Sequence, residues 1–329
     1  MTDWCEVDRV LRTTAEPCRY YTDREVHAVL TARPTDYFAH VKGILADIAS
    51  GAAELELPPK QLFDDRSGGG DFRVMPCVVR RGGKTWKSVK VVGTNLRQVT
   101  VPDQITVGRA LAVHPEENFV SHLFDACLLS SARTAVCIAL AVDRLAASPA
   151  SFSLIGAGRV GYYAAFYLLS LHPGISVTLY DLAPGRAEQT AGLLARLFPG
   201  SHCCASPVPV MAGVDVVVLA TSSRTPLCTP ADCEAGLVVS VGADCDQQHE
   251  LAPAWAEAAD LYVDTMDSTN YGDLRQWLAA GRLRLEELTD FFDLFRNGPV
   301  NRRKRAVFVS TGSALFDNLT ISYIIGREG

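Results

Sequence analysis

The sequence predicts an α/β fold in which a doubly wound domain, at about residues 133–307, is inserted into an α+β domain formed by residues 1–132 and 308–329. Two observations in the 329-residue chain support this prediction. The central part alternates apolar strand-like runs with helical runs, which is typical of a parallel sheet covered by helices on both faces. The preceding part has strand-like runs joined by short turns, which favours an antiparallel or mixed sheet.

The composition limits the class of protein. Hydrophobic residues make up 48% and charged residues 21% of the chain, so a sizeable core is expected. The net charge is −6, and the basic cluster Arg302–Arg305 is interpreted as a solvated loop. A nucleic-acid partner is therefore not expected. No secretory signal and no membrane-spanning helix are expected. The ten cysteines are scattered and form no C-x-x-C pair, which predicts a cytosolic protein. The seven histidines lack the spacing of metal ligands, so no metal is expected.

The first part of the chain is predicted to contain helices, three strands and a longer helix. In chain order they are a helix over Glu25–Leu30 capped by Asp23, a helix over Tyr37–Ile48 ending at Gly51, strands over Phe72–Val79, Trp86–Val92 and Ile105–Val113, and a helix over Ser131–Ala147. Turn residues such as Gly82 and Gly83 separate the strands, so hairpin connections are expected.

A glycine-rich motif follows the longer helix. The run Phe152–Gly161 reads as an apolar strand and a G-x-G-x-x-G turn that opens a helix. Gly156 permits the tight turn, Gly158 lets the backbone approach a pyrophosphate, and Gly161 lets the helix pack closely on the strand. The helix N-terminus offers unpaired N–H groups to the phosphates. A glycine-rich turn without a ligand is the alternative. The predicted phosphate-binding residues of this Rossmann-type domain are Gly156, Ala157, Gly158, Arg159, Val160 and Gly161.

The next strand-like run, Val177–Asp181, ends in a carboxylate twenty residues after Gly161. Asp181 is expected to accept hydrogen bonds from the adenine-ribose diol of a dinucleotide. A 2′-phosphate at this position would meet like charge, so NAD is predicted rather than NADP. Arg186 is near enough in the sequence to weaken this preference.

Further strands are predicted at Val214–Ala220, Leu237–Val241 and Leu261–Val263, with a helix at Arg186–Phe198, and the run Ala306–Gly312 is interpreted as the return to the first domain. In such sheets, ligands bind beyond the carboxyl ends of the strands. Thr221, Ser222 and Ser223 lie there, and they suit either a loop passing close to a nicotinamide ring or an ordinary polar turn. Asp244 also lies there, either as a group that exchanges a proton with a substrate nitrogen or as a helix cap.

Cations in the first part are candidate substrate ligands: Lys60, Arg73, Lys90 and Arg133. Lys90 and Arg133 are embedded among apolar or small residues, where an unpaired charge is costly. A substrate carboxylate would offset that cost, and arginine can grip a carboxylate through two parallel hydrogen bonds.

The sequence resembles the ornithine cyclodeaminase/μ-crystallin family from about Tyr20 to Tyr323. The matching pieces are Leu57-Pro58-Pro59-Lys60, Val74-Met75-Pro76, Ser88–Val92, Ala132-Arg133-Thr134-Ala135, Ile155–Gly158, Val241–Asp244 with Glu250-Leu251, and Thr311-Gly312 with Asp317. The resemblance implies an NAD(P)-dependent enzyme that acts on the α-carbon–nitrogen bond of an amino or imino acid, usually as a homodimer. It implies that Lys90 and Arg133 hold the substrate carboxylate, that Lys90 also assists proton transfer and that Asp244 is the acid/base. Lys60 falls where many members have a substrate-binding arginine.

The reaction within the family is predicted from four short stretches of the sequence. Cyclodeaminases resemble one another in having a glutamate, which serves as a base, three residues before the Pro of the Met-Pro pair. This chain has Arg73 there, and because a cation cannot act as a base, ornithine deamination is disfavoured. The run Leu129–Arg133 has Ser where cyclodeaminases commonly have Thr, and Phe316-Asp317 replaces their common Glu-Asp pair. Both differences favour the siderophore-pathway branch, which oxidises N-(2-amino-2-carboxyethyl)-glutamate to 2,3-diaminopropionate and 2-oxoglutarate. A second substrate carboxylate would also give Arg73 a partner. The run Gly242–Asp244 instead resembles cyclodeaminases and alanine dehydrogenases.

The leading prediction is therefore an NAD-dependent dehydrogenase that works through an imine and resembles the siderophore-pathway branch. Alternatives are an ornithine or lysine cyclodeaminase, which would release ammonia and form a cyclic imino acid, and a ketimine reductase or alanine dehydrogenase. A μ-crystallin-like protein that binds a nucleotide and a small ligand without catalysis is the alternative outside the enzymes.

Overall fold

The computed structural model describes residues 4–64, 70–245, 247–300, 303 and 305–328. Met1–Asp3, part of the region in which no signal segment was expected, lie outside the described residues. Arg302 and Lys304 of the basic cluster lie outside them too. Arg303 and Arg305 are described, and both guanidinium groups donate to backbone carbonyl groups. These two side chains are therefore bound to the protein surface rather than free in solvent.

The described residues of the first part form a seven-stranded mixed sheet and four helices. Its elements are α1 (Trp4–Leu11), β1 (Arg19–Tyr21), α2 (Asp23–Ala32), α3 (Pro34–Ser50), β2 (Ala53–Glu56), β3 (Gln61–Asp64), β4 (Asp71–Arg81), β5 (Lys84–Thr94), β6 (Thr106–Val113), β7 (Val120–Asp125) and α4 (Ala126–Leu145). The strand order is β1-β7-β6-β5-β4-β2, and β3 pairs with β4. Only β1 and β7 pair in parallel among these strands, so the predicted antiparallel or mixed sheet is confirmed.

In the rest of the chain, the residues that the structure describes form an eight-stranded parallel sheet with helices. Its elements are β8 (Ser151–Ile155), α5 (Arg159–Leu171), β9 (Ser176–Tyr180), α6 (Arg186–Leu197), β10 (His202–Ala205), β11 (Val216–Leu219), β12 (Leu237–Ser240), α7 (Trp255–Ala258), β13 (Asp260–Val263), a 3₁₀ turn (Met266–Asn270), α8 (Gly272–Ala279), a second 3₁₀ turn (Leu285–Glu287), β14 (Leu288–Asp290), α9 (Phe291–Asn297), β15 (Ala306–Val309) and α10 (Ala314–Ile325). The order β10-β9-β8-β11-β12-β15-β13-β14 reverses direction between β8 and β11. This is the predicted doubly wound, Rossmann-type sheet with its switch point beside β8.

The ends of several elements differ from the sequence predictions. Thr22 caps α2, since its hydroxyl accepts from Glu25 N, and Asp23 is the first helical residue. The Asp23 carboxylate instead accepts from the backbone N–H of Leu128, in the first turn of α4. Helix α4 begins at Ala126, five residues before the predicted start, because β7 leads directly into it.

Strand β15 corrects the predicted return to the first domain. It pairs in parallel with β12 and β13, so the predicted boundary between residues 307 and 308 falls inside a strand of the second sheet. Val307, Phe308 and Val309 are buried, as expected of a central parallel strand. The chain returns only with α10, which packs against β4, β5, α3 and α4. The predicted boundary between residues 132 and 133 likewise falls inside α4, and the division into two domains stays a prediction.

Helix α4 is the hydrophobic centre of the first part. By length and composition it is the one described helix that could cross a membrane, but 89% of its apolar 18-residue window is buried inside the protein. It packs against α5, α2, α10 and β6. It is therefore a core helix, and it carries Arg133 into the interior.

Candidate active site

A cavity of about 130 Å³ lies between the carboxyl ends of the parallel strands and the buried face of β4 and β5. In the β4–β5 hairpin, Arg73 lies opposite Val92 and Met75 opposite Lys90. Alternate residues of a strand share one face, so these four side chains all point toward the cavity. The other lining residues are Asp71, Gly93, Thr94, Thr106, Ser130, Ser131, Arg133, Thr134, Val160, Val241, Asp244, Thr311 and Gly312.

Lys90 and Arg133 share one buried carboxylate. Lys90 Nζ lies 2.8 Å from both oxygens of Asp317 and donates to Ser130 Oγ at 3.2 Å. Arg133 Nε lies 3.1 Å from Asp317 Oδ1 without the alignment of a hydrogen bond. Burial, with the neighbouring Arg133, lowers the pKa of Lys90 to about 7, although Asp317 acts in the opposite direction. Two cations face one anion, so this cluster favours an additional negative charge.

Gly312 leaves space for the end of the Arg133 side chain. Its φ is +83°, and a Cβ at this position would lie 2.9 Å from each terminal nitrogen of Arg133. The loop after β15 therefore passes directly over the guanidinium group. A residue larger than glycine would push that group out of the cavity or distort the loop.

Arg73 is an ion-pair partner of two aspartates. Its Nη1 donates to Asp244 Oδ2 at 2.6 Å, and its Nη2 donates to Asp71 Oδ2 at 2.9 Å. The side chain of Arg73 is 8% exposed. The predicted substrate-binding residue thus already has two carboxylate partners within the protein, and a second substrate carboxylate is not needed to neutralise it.

Asp244 lies in the loop after β12, and its side chain is 38% exposed. Burial raises its pKa, but the cations Arg73, Lys60 and Arg133 outweigh burial, so the pKa lies below its usual value. The amide of Gln248 is oriented so that its NH₂ group faces two acceptors. It donates to Asp244 Oδ1 and to Gly242 O, each at 2.9 Å. Asp244 is therefore a carboxylate at neutral pH that is held in place by side chains, and among the described residues it caps no helix.

Lys60 lies beside the cavity rather than in its lining. Its Nζ donates to Thr311 O at 2.7 Å and to Thr311 Oγ1 at 3.2 Å, and it lies 3.7 Å from the centre of the Tyr271 ring. Burial lowers its pKa to about 8, while Asp244 acts to raise it. It lines an adjoining cavity of about 400 Å³, which shares Gly312 with the first.

The three glycines of the glycine-rich turn have different surroundings. Gly156 has a φ of +103°, and a Cβ there would lie 2.3 Å from Ala220 O. A Cβ on Gly161 would lie 2.0 Å from Gly156 O, so α5 packs tightly on the turn. At Gly158 a Cβ would meet no atom within 4 Å, and no side chain caps α5 there among the described residues. Open space beside uncapped N–H groups fits a pyrophosphate.

Asp181 lies next to this turn, at the end of β9. Its Oδ2 accepts from Ala157 N and its Oδ1 from Ala183 N, each at 2.8 Å. Arg186 Nη1 lies 3.6 Å from Asp181 Oδ1. The carboxylate is therefore tied to the glycine-rich turn, with a cation beside it as the sequence distance suggested.

The loop Thr221–Ser223 follows β11. Thr221 donates through both its backbone N–H and its hydroxyl to Glu250 Oε1, at 2.7 and 2.8 Å. Ser223 Oγ donates to Thr225 O at 2.7 Å, and Ser222 is exposed. Partners within the protein suit an ordinary polar turn, while the position beside β8 and β12 suits a cofactor loop, so both interpretations stay open.

Within the described residues, no group of three or more His, Cys, Asp or Glu side chains is placed to hold a metal ion. All ten cysteines are described, and none forms a disulfide. The expected absence of a metal stays a prediction.

Comparison with known proteins identifies the family of this chain. Residues 22–327 match the Ornithine cyclodeaminase/mu-crystallin family. The chain belongs to this family. It is 27% identical over 236 residues to the NAD(P)H-dependent anabolic L-arginine dehydrogenase of Pseudomonas aeruginosa, covering 71% of this chain and 72% of that protein. It is 28% identical to the L-lysine cyclodeaminase of Streptomyces rapamycinicus, covering 84% and 81%. The chain is thus an enzyme of the amino-acid dehydrogenase and cyclodeaminase family.

A solved structure shows the same fold. The Δ1-pyrroline-2-carboxylate reductase of Thermococcus litoralis, in complex with NADH and L-proline, superposes with a TM-score of 0.82. The match covers 94% of this chain and 96% of that one at 17% identity. Such a likeness extends to the fold alone.

Three residues that hold the candidate site together were not predicted as site residues from the sequence: Asp71, Glu250 and Asp317. Asp71 could have been found, since it precedes Arg73 by two residues in a strand and so shares its face. Asp317 and Glu250 were noted only as parts of matching motifs. Their partners lie on other elements, so no local pattern indicates their roles.

Proposed function

We propose that the chain catalyses the NAD(P)-dependent interconversion of an α-amino acid, or an N-substituted α-amino acid, and the corresponding imine. The observation that carries this proposal is one cavity lined by Lys90, Arg133 and Asp244. It holds groups suited to a carboxylate and to an amine, and it lies at the carboxyl ends of a dinucleotide-type sheet.

In this proposal Arg133 and Lys90 bind the substrate carboxylate. Both are buried, and the carboxylate that they share as an ion-pair partner is Asp317, so an incoming substrate carboxylate adds negative charge beside two cations. A carboxylate close to Lys90 also opposes the lowering of its pKa by burial. Lys90 is therefore expected to be cationic when substrate is bound, and it can return a proton later in the cycle.

Asp244 is proposed to exchange a proton with the substrate nitrogen. A bound nicotinamide supplies the acceptor or donor for hydride at the α-carbon. Asp244, a carboxylate at neutral pH, accepts a proton from the substrate ammonium group so that the nitrogen lone pair can form the imine. Water then adds to the imine carbon, and the C–N bond breaks to give a 2-oxo acid and an amine.

We further propose that NAD is preferred to NADP. Asp181 at the end of β9 places a negative charge where a 2′-phosphate would lie, and Gly158 leaves room for the pyrophosphate. Arg186 beside Asp181 limits the preference rather than reversing it, because its side chain is more exposed than the carboxylate.

The substrate proposed first is N-(2-amino-2-carboxyethyl)-glutamate or a similar N-carboxyalkyl amino acid, as in siderophore biosynthesis. Arg73 no longer supports a substrate with a second carboxylate, because Asp71 and Asp244 already pair with this arginine. The second candidate is lysine or ornithine cyclodeamination, favoured by the similarity to the lysine cyclodeaminase. Against it, a guanidinium cannot serve as the base expected at position 73.

A homodimer is proposed from the outer face of the first sheet. Phe72 and Val91 are 49% and 40% exposed, and Phe63 stacks on Phe72 with ring centres 4.7 Å apart. A second copy of this chain would cover these apolar side chains. Sedimentation at several concentrations tests this, and a Phe72→Glu variant should shift the equilibrium toward monomer.

Absorbance of NADH, followed with a panel of amino acids and N-carboxyalkyl amino acids, tests the proposed reaction. Asp244→Asn should abolish turnover while NADH still binds, as measured by fluorescence titration. Turnover by that variant would contradict the acid/base role. Proline formation from ornithine without net NADH would indicate a cyclodeaminase, and binding of nucleotide and ligand without any reduction would indicate a μ-crystallin-like binding protein.

A further inference from the structure

The buried carboxylate of Glu250 joins the ends of two neighbouring strands. Its Oε1 accepts from Thr221 N and Thr221 Oγ1, at 2.7 and 2.8 Å. Its Oε2 accepts from Ser240 Oγ at 2.7 Å and from Gly242 N at 2.8 Å. The residue is completely buried. One side chain thus holds the loop after β11 and the loop after β12.

The contact between these loops has no spare room. A Cβ on Gly242 would lie 2.0 Å from Thr221 O and 2.4 Å from Glu250 Oε1. Asp244 follows Gly242 by two residues, so its place depends on how the backbone of Gly242 is held. The distance between Thr221 and Asp244 is therefore set through Glu250.

The backbone at Glu250 is also held in place, by the carboxylate of Asp273. Its backbone N–H and that of Leu251 donate to Asp273 Oδ2, each at 3.0 Å, and His249 Nδ1 lies 3.0 Å from Asp273 Oδ1. Asp273 is 2% exposed. The carboxylate of Glu250 is thus fixed by its backbone as well as by its four donors.

The four donors require an acceptor-only group. An ionised carboxylate can accept all four hydrogen bonds, whereas the NH₂ of a glutamine would face a donor on one side. A buried donor that loses its partner is costly. Replacement of Glu250 by glutamine should therefore displace at least one of the two loops with little change in side-chain volume.

We propose that Glu250 is a positioning residue that fixes Asp244 relative to the Thr221 loop, against which the nicotinamide end of the cofactor would bind. This inference rests on the proposed function. It assigns Glu250 a role in two separate properties, cofactor affinity and the ionisation of Asp244. A residue that only stabilises the core would affect neither.

The test compares Glu250→Gln with Asp215→Asn. Asp215 also accepts several hydrogen bonds, from Ala150 N, Ser151 N and Ser151 Oγ, but it lies at the opposite end of the sheet. Glu250→Gln should raise the Kd for NADH, measured by fluorescence, about tenfold or more. It should also shift the acid limb of the kcat/KM profile. Asp215→Asn should lower Tm but leave the NADH Kd and the pH profile unchanged.

The outcomes separate the two proposals. If Glu250→Gln lowers Tm but keeps the wild-type Kd and pH profile, the positioning role is overturned. If the wild-type protein does not bind NADH, the proposed function itself fails. Should Glu250→Gln not fold, Thr221→Val and Ser240→Ala each remove one side-chain donor to the carboxylate. Thr221→Val should then raise the NADH Kd more than Ser240→Ala does, and equal, unchanged Kd values would also overturn the role.

Discussion

The Arg73 guanidinium donates to both oxygens of Asp244, from Nη1 at 2.6 Å and from Nη2 at 3.4 Å. The two residues are separated by 171 positions, and they meet because β4 of the first sheet faces the end of β12 of the second. Asp71 accepts from the same guanidinium and keeps it beside the cavity. The ionisation of the proposed acid/base therefore depends on a cation from the other sheet.

Arg73→Met should raise the pKa of Asp244, because it removes a cation that holds this pKa down. A base must be deprotonated to work, so the acid limb of the kcat/KM profile should move to higher pH. Loss of the positioning contact should also lower kcat/KM at neutral pH by roughly 10²-fold. The control is Arg80→Met in the same strand, whose partners Glu54 and Glu56 lie on the surface. An acid limb that stays in place in Arg73→Met would show that Arg73 does not control Asp244.

Lys90 should make stability depend on pH. Its pKa is about 7 in the folded protein, against an ordinary value of 10.5. Between these values the unfolded chain binds more protons than the folded one, so this contribution makes stability rise with pH from about 7 to 10.5. The wild-type slope should exceed that of Lys90→Met by up to about 1.4 kcal/mol per pH unit, measured by urea unfolding. Lys87→Met, on the opposite face of β5, should keep the wild-type slope, and equal slopes in all three proteins would contradict this account.

Two glycines of the same turn should respond differently to alanine. In Gly161→Ala the new Cβ would lie 2.0 Å from Gly156 O, so we expect a loss of about 1–3 kcal/mol in the free energy of unfolding. In Gly158→Ala the Cβ meets no protein atom, so stability should change little. It would occupy the approach of the pyrophosphate, and the Kd for NADH should rise about tenfold, equivalent to roughly 1.4 kcal/mol. Urea unfolding and fluorescence titration of both variants check this, and unchanged NADH binding by Gly158→Ala would remove the turn from the cofactor site.

The choice between NAD and NADP should depend on Asp181 and Arg186. Asp181→Ser removes the charge that would repel a 2′-phosphate, so the ratio of kcat/KM for NADH to that for NADPH should fall about tenfold. Arg186→Ala removes the neighbouring cation, at 3.6 Å, so the same ratio should rise. Steady-state kinetics with both cofactors measure the ratio. A shift in the same direction for both variants would contradict the electrostatic explanation.

Local patterns were sufficient for most of the fold. The glycine spacing around Gly158 and the alternation in β4 and β5 depend on residues a few positions apart, and the structure agrees with both. The first and last residues of helices and strands were predicted less accurately. Thr22 rather than Asp23 caps α2, because both are good capping residues and the contact of Asp23 with Leu128 is not local.

The class of each sheet and the residue types that a cofactor and a carboxylate require could be predicted from the amino-acid sequence, because they depend on spacing over a few residues. The family could be predicted too, because its short motifs follow one another in the same order along the chain. Which charged side chains pair with one another could not be predicted in this way, because the partners lie far apart in the chain. Lys90 reaches Asp317 across 227 positions, and Lys60 contacts Thr311 across 251. Such pairs form only when α10 and the end of β15 pack against the first sheet. Burial and the charges that packing brings together then fix the direction of each pKa shift, as the lowered pKa values of Lys90 and Asp244 show. Neither can be derived from a residue's neighbours in the chain.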